Sequence, residues 1–153
     1  MPLIDDKESA ELRYILYNSF LEKADLPPLD QQEMVLYVGS CRCPLFDYMK
    51  EEGIDVFGLD IRNPSGLEHL CQYRGNILGR TIFEDGFFSL MITLAIFDPG
   101  VYSTSPEKVE KEAYRILADN GIYLIDDVDI PDYAFPMFTE VPTEHFRMLR
   151  KED

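Results

Sequence analysis

The stretch "MVLYVGSCRCPLFDYMKEEGIDVFGLDI", residues 34–61, decides the fold. An apolar run of strand length ends at Gly39, and Cys41 and Cys43 follow. A helical pattern then opens at Pro44 and closes at Gly53, and a second apolar run ends at Asp60. A continuous apolar strand is expected where both faces of a parallel sheet are covered. Proline suits the first position of a helix, and glycine suits the residue after its end. Strand, turn, helix and strand in that order form the layout of a nucleotide-cradling unit. Gly39 lets the backbone approach a bound group where a β-carbon would obstruct. Asp60 follows about twenty residues later, the spacing at which an acid meets ribose hydroxyls. Each residue also has a plainer explanation: such a glycine is often only a turn, and such an aspartate is often a helix cap or solvated.

Outward from this stretch, "DKESAELRYILYNSFLEKA" (6–24) has helical spacing, with Leu12, Ile15, Leu16 and Phe20 as its expected buried face. "DLPPLD" (25–30) breaks the chain before the first strand. Downstream, "SGLEHLCQYRG" (65–75) carries a short helical pattern, and "GNIL" (75–78) is expected as a brief third strand. "FFSLMITLAIF" (87–97) is the fourth. In "SPEKVEKEAYRILADNG" (105–121) Ser105 can cap a helix, Pro106 opens it, Glu107 and Lys111 are spaced to pair, and Gly121 is expected to close it. "IYLID" (122–126) is the fifth strand, and "FTEVPTEHFRMLRK" (138–151) alternates enough for one or two edge strands. Between these last two, "PDYAFPMF" is too short for a full further helix.

Strand–helix alternation of this kind predicts an α/β protein with a doubly wound, mostly parallel sheet and helices on both faces. At 153 residues one domain is expected: an N-terminal helix and linker (1–29), a core (30–130) and C-terminal edge strands (131–153). Ligands in such sheets bind beyond the carboxyl ends of the strands, where strand order reverses. That draws attention to Gly39–Cys43, Asp60, residues 75–77 and Thr93 onward.

Acidic residues outnumber basic ones 29 to 14, for a formal charge of −15. Nucleic-acid binding needs Lys and Arg to neutralise phosphates, and the densest basic cluster is only "RMLRK". The charge therefore excludes nucleic acid as the expected partner, and it suits solubility or docking to a basic protein. No apolar run approaches the ~20 residues of a membrane span, and no basic-then-apolar leader opens the sequence. A cytoplasmic protein without a membrane segment is expected. Three cysteines, Cys41, Cys43 and Cys71, form no disulfide framework and are expected reduced. "CRC" supplies half a zinc site, but Cys71, His69 and His145 give no second close pair, so no metal is assigned. Oxygen ligands for Mg²⁺ exist in "IDDVDIPD" (Asp126, Asp127, Asp129, Asp132), where a solvated acidic loop is the simpler expectation.

Over about residues 30–130 the chain resembles the class I S-adenosylmethionine-dependent methyltransferases, a Rossmann-like superfamily. "VLYVGSCRC" is similar to the first motif and "VFGLDI" to the second strand with its terminal acid. "GNILGRTIFEDGFFSLMITLAIF" resembles the third and fourth strands, and "SPEKVEKEAYRILADNGIYLIDD" resembles the following helix and strand. There are departures: Tyr37 replaces a common acid, Cys41 and Cys43 replace glycines, Ser89 replaces an aspartate, and "LADNG" lacks a proline–glycine pair. "FDPGVY" (97–102) resembles an amino-methylating motif but lacks its second proline and lies too late in the chain.

The resemblance implies a degenerate glycine-rich cofactor site made of Gly39, Ser40, Cys41, Asp60, Ile61, Asn76, Ile77 and Thr93. It implies S-adenosylmethionine as cofactor and S-adenosylhomocysteine as product. In that scheme Asp60 takes the ribose hydroxyls, Ile61 packs on adenine, and the amide oxygen of Asn76 bonds the adenine amino group. Thr93 faces the meeting point of donor and acceptor. No catalytic base is identified; methyl transfer rests mainly on proximity and in-line alignment. The acceptor is expected to be a small molecule, with a large substrate, a partner or a homodimer mate completing an open crevice. Two alternatives stand beside this: a non-catalytic member of the fold that binds a protein through its acidic surface, and another nucleotide-binding Rossmann domain.

Overall fold

The computed structural model describes residues 7–39, 44–63, 66–97, 104–127, 132–143 and 146–152; Lys7 and His69 are described in backbone only. Ser40, Cys41, Cys43, Asp129, His145 and most of "FDPGVY" lie outside these residues. Among the described residues the elements run α1 (Lys7–Lys23), β1 (Val35–Val38), α2 (Pro44–Glu51), β2 (Val56–Asp60), β3 (Gln72–Arg74), β4 (Phe88–Leu94), α3 (Pro106–Ile116), β5 (Leu117–Asp126), β6 (Thr139–Val141) and β7 (Arg147–Arg150). The strands form one sheet in the order β3-β2-β1-β4-β5-β7-β6. β1 pairs in parallel with β2 and β4, with Val35 opposite both Val56 and Leu90. β5 is parallel to β4 and antiparallel to β7. This is the doubly wound α/β fold expected, with one further finding at its end. Of the C-terminal pair only β6 is the edge strand; β7 lies inside, between β5 and β6.

Alternate side chains of each strand feed two cores. Val35 and Tyr37 pack with α1 and α2, while Leu36 and Val38 pack with α3 on the other face. α3 begins as its sequence foretells, with Ser105 Oγ accepting from Lys108 N–H and Pro106 in the first turn. It ends earlier than expected, at Ile116. Gly121 does not close the helix but sits within β5, where an added β-carbon would lie 2.7 Å from the Ala118 carbonyl oxygen. The left-handed residue there is Asn120 (φ 65°). Its N–H donates to Lys151 O, and the register of β5 shifts against β4 between Phe88 and Leu90, so this stretch is an irregular part of the strand and not the end of a helix.

Two more expectations are corrected. The third strand is Gln72–Arg74, paired with Gly58–Asp60, and residues 75–78 form a turn. The buried face of α1 is Ala10, Tyr14, Tyr17, Phe20 and Leu21; Leu12, Ile15 and Leu16 are 62%, 55% and 42% exposed. The tyrosines bury because their polar ends find partners. Tyr17 and Arg13 both donate to Oδ2 of Asp126, at the carboxyl end of β5. Burial, and then the neighbouring Asp126 carboxylate, push the Tyr17 hydroxyl well above its ordinary value, so it stays a donor. Asp126 and Asp127, expected in a solvated loop, are thus buried and engaged, Asp127 by the N–H of Phe97 at 2.8 Å.

Where helices are absent, buried glutamates hold the loops. Between β2 and β4 the described residues contain no α-helix, only a 3₁₀ turn at Glu68–Leu70. Glu112 on α3 accepts from Thr81 N–H at 2.7 Å and from Arg115 Nη2 at 2.6 Å, fastening the segment before β4. Two residues earlier, Glu110 accepts from Tyr133 and from the N–H of Met137, each at 2.7 Å, and this fixes the segment after β5. That hydrogen bond pushes the Tyr133 hydroxyl up to about 12.

Two outcomes follow from these anchors. In urea unfolding, Asp126→Ala is expected to cost about 3 kcal/mol, because Arg13 and Tyr17 lose their shared acceptor. Tyr17→Phe is expected to cost about 1 kcal/mol, a single hydrogen bond. Burial alone would raise the Glu112 carboxyl, but the bonds from Arg115 and Thr81 outweigh it and hold it below the ordinary value. A depressed carboxyl stabilises the fold above its unfolded pKa and loses that contribution as pH falls through the folded one. The wild type is therefore expected to lose stability below about pH 4.5. Glu112→Gln, already weaker at neutral pH, is expected to show a flatter acid decline in melting temperature.

Candidate functional site

Strand order reverses at β1, so its carboxyl end opens between β2 and β4. The chain leaves the sheet at Gly39 with φ +92°, the left-handed region that glycine favours. A β-carbon there would stand 2.7 Å from the carbonyl oxygen of Leu94. Gly39 N–H donates to Leu59 O at 2.9 Å, which ties the turn to β2. Beside it lies a crevice of about 220 Å³, walled by Val38, Gly39, Ile61, Ile77, Leu78 and Ile96, with Asp60 at one side. It is mostly apolar, with few polar groups, as small-molecule sites are.

Asp60 ends β2 with its side chain almost fully buried. Its carboxylate accepts from the N–H, Nε and Nη2 of Arg62 at 2.8, 3.1 and 3.0 Å. Its carbonyl accepts from Gly75 N–H at 3.3 Å, which brings the 75–78 turn to the crevice. Asn76 shapes that turn, since its amide oxygen accepts from Leu78 N–H at 2.9 Å. Ile61 is exposed in the crevice and Ile77 is buried in it.

Of the residues proposed from sequence, Gly39, Asp60, Ile61, Asn76 and Ile77 come together around the crevice. Ser40 and Cys41 lie outside the described residues. Thr93 does not join the wall. It is fully buried, with its hydroxyl 2.9 Å from that of Tyr123. The strand alternation that sends Leu36 and Val38 toward α3 also sends Met91 and Thr93 there. Burial pushes the Tyr123 hydroxyl up, so the pair is neutral at physiological pH.

The residue β4 contributes instead is Ile96, beyond a left-handed turn at Ala95 (φ 55°). That turn is held by Ala95 N–H on Asp126 O and by Phe97 N–H on Asp127. Thr104 closes the wall, donating to the Ile96 carbonyl at 2.5 Å. Ile96 was visible in sequence only as the end of an apolar run, and Thr104 carried no signal.

No family model and no curated protein matches the chain in sequence. Solved structures do. N-methyltransferase NodS from Bradyrhizobium japonicum WM9 superposes with a TM-score of 0.63 at 12% identity, over 97% of this chain and 99% of that one. The PH0226 protein from Pyrococcus horikoshii OT3 gives 0.63 at 15%, over 98% and 94%. Burkholderia thailandensis 1,6-didemethyltoxoflavin-N1-methyltransferase, solved with 1,6-didemethyltoxoflavin and S-adenosylhomocysteine, gives 0.60 at 15%, over 97% and 80%. Other methyltransferase structures are longer, and this chain spans about half of them, 47% and 43% in two cases. The chain has the class I S-adenosylmethionine-dependent methyltransferase fold.

Gly39→Ala is expected to lower unfolding stability by about 2–4 kcal/mol, from left-handed strain plus the clash with Leu94. Gly53, also at positive φ but with open space around it, serves as the control. Gly53→Ala is expected to cost only about 1 kcal/mol. Equal losses at the two positions would contradict a close approach at Gly39.

Proposed function

We propose that this protein binds S-adenosylmethionine in the crevice beside Gly39 and Asp60 and transfers its methyl group to a small acceptor. The observation that carries this is one juxtaposition. At the point where strand order reverses, a turn that admits no β-carbon stands beside a buried strand-end carboxylate and apolar walls. The residues fit the group. Asp60 would accept the ribose hydroxyls, while Ile61 and Ile77 would flank the adenine and Gly39 would let the backbone approach. Asn76, with one lone pair of its amide oxygen given to Leu78, retains a second for the adenine amino group. When bound, the cofactor supplies a methyl group on a sulfonium centre, and its transfer leaves a thioether. The chain's own part is to bind, align and exclude water, since among the described residues no side chain of the crevice is placed as a base.

A second reading, a non-catalytic protein-binding member of the fold, is favoured by the exposed stripe of Leu12, Ile15 and Leu16 on α1. Exposed Glu8 and Glu11 border it. An apolar stripe with an acidic rim suits a basic partner.

Calorimetry with S-adenosylmethionine and S-adenosylhomocysteine separates the two. Binding with a rise in melting temperature is expected, because a ligand of the native state alone stabilises it. Asp60→Ala is expected to abolish both. Absence of binding at millimolar ligand would remove the first reading and leave the second.

A further inference from the structure

Arg62 follows Asp60 by two residues and folds back over it. Its backbone N–H and Nε both reach Oδ1, and Nη2 reaches Oδ2. The two partners are unequal: the Arg62 side chain is 55% exposed and that of Asp60 only 1%. Arg62 is therefore a cover lying on the solvent side of a buried carboxylate, and that carboxylate, Asp60, belongs to the crevice wall where a ribose would seat.

A carboxylate offers about four lone-pair positions, and Arg62 alone supplies three donors. A ribose brings two hydroxyl donors to the same oxygens. Three and two exceed four, so both hydroxyls cannot be satisfied while all three Arg62 bonds persist. The backbone N–H belongs to the turn that leaves β2 and stays. The guanidinium, half in water on a flexible stem, is the group that can leave. Its departure leaves no buried cation behind, because it already sits at the surface.

We infer that Arg62 is an affinity-setting residue of this site, a latch that occupies the ribose-binding carboxylate and yields only to a vicinal diol. This rests on the proposed function, in that Asp60 is taken to bind a ribose. The latch also responds to the ligand's sugar. A ribose with both hydroxyls free exceeds that count and displaces the guanidinium, whereas a 2′-deoxy or 2′-phosphorylated ribose brings only one donor and does not force it off. The guanidinium thus works against the ligand in the wild type, opposite to the usual effect of a charged residue in a binding pocket.

The experiment is calorimetric titration of the full chain with S-adenosylhomocysteine, in wild type, Arg62→Ala, Arg62→Lys and Asp60→Ala. Arg62→Ala is expected to bind about fivefold more tightly than wild type, in the range of an ion pair with one exposed partner. Arg62→Lys keeps the charge but not the fork, so it is expected to fall between them and carries the test if the alanine variant folds poorly. Raising salt to ~0.5 M screens the latch and is expected to tighten wild-type binding while leaving Arg62→Ala unchanged. Wild-type binding with equal or weaker affinity in both Arg62 variants would overturn the latch and leave the proposed function standing. Absence of binding in wild type and both variants would overturn both.

Discussion

The carbonyl oxygen of Leu94 leaves no room for a β-carbon on Gly39, and the rest of the site depends on that close approach. β1 lies between β2 and β4, so its exit must thread the gap between their carboxyl ends. A glycine at φ +92° makes that exit with its N–H bonded to Leu59. Once the turn lies flat, Asp60 on one side and Ile96 on the other face a shared crevice. A side chain at residue 39 would push the turn away from β4 and fill the space a ligand would use.

Both faces of the sheet bury aromatic rings, and they differ in their polar anchors. On the α1–α2 face Tyr14 packs on Tyr48 and Phe20 on Phe146, with centroids 5.2 and 4.9 Å apart. On the α3 face Phe83 packs on Phe88 at 4.9 Å. A polar anchor of the α1–α2 face, Arg13 and Tyr17 on Asp126, lies at the carboxyl edge of β5. On the α3 face, Glu110 and Glu112 hold two segments whose described residues form no α-helix. Asp126 links these faces to the site, because its carbonyl also holds the Ala95 turn that presents Ile96. Among the described residues, buried carboxylates thus fasten connections of the sheet that carry no α-helix.

Much of the sheet was legible because β1, β2, β4 and the start of α3 carry local signals: unbroken apolar runs, a capping serine and a proline. Gly39 and Asp60 were legible as a pair through their spacing. What was not legible depends on partners distant in sequence. Apolar residues surround α1 on all sides, so periodicity could not choose its buried face; Asp126, more than a hundred residues away, chooses it by accepting from Tyr17. β3 was misplaced by a few residues because a three-residue strand has too short a pattern to read. Gly121 looked like a helix end because glycine after a helical run usually is one, yet β5 begins before it. Thr93 looked accessible because its strand ends nearby, but alternation turns it toward Tyr123. The hold of Arg62 on Asp60 is local, yet two charges two residues apart do not by themselves announce a closed fork.

The central claim is that the crevice at the end of β1 is where a nucleoside cofactor binds. Its most direct test is amide nuclear magnetic resonance during titration with S-adenosylhomocysteine. Shifts concentrated at Gly39, Arg62, Gly75, Asn76 and Leu78, with β6 and β7 unmoved, are the expected result. Saturable shifts centred on α1 or the β6–β7 hairpin, with the Gly39 and Gly75 amides unchanged, would contradict it.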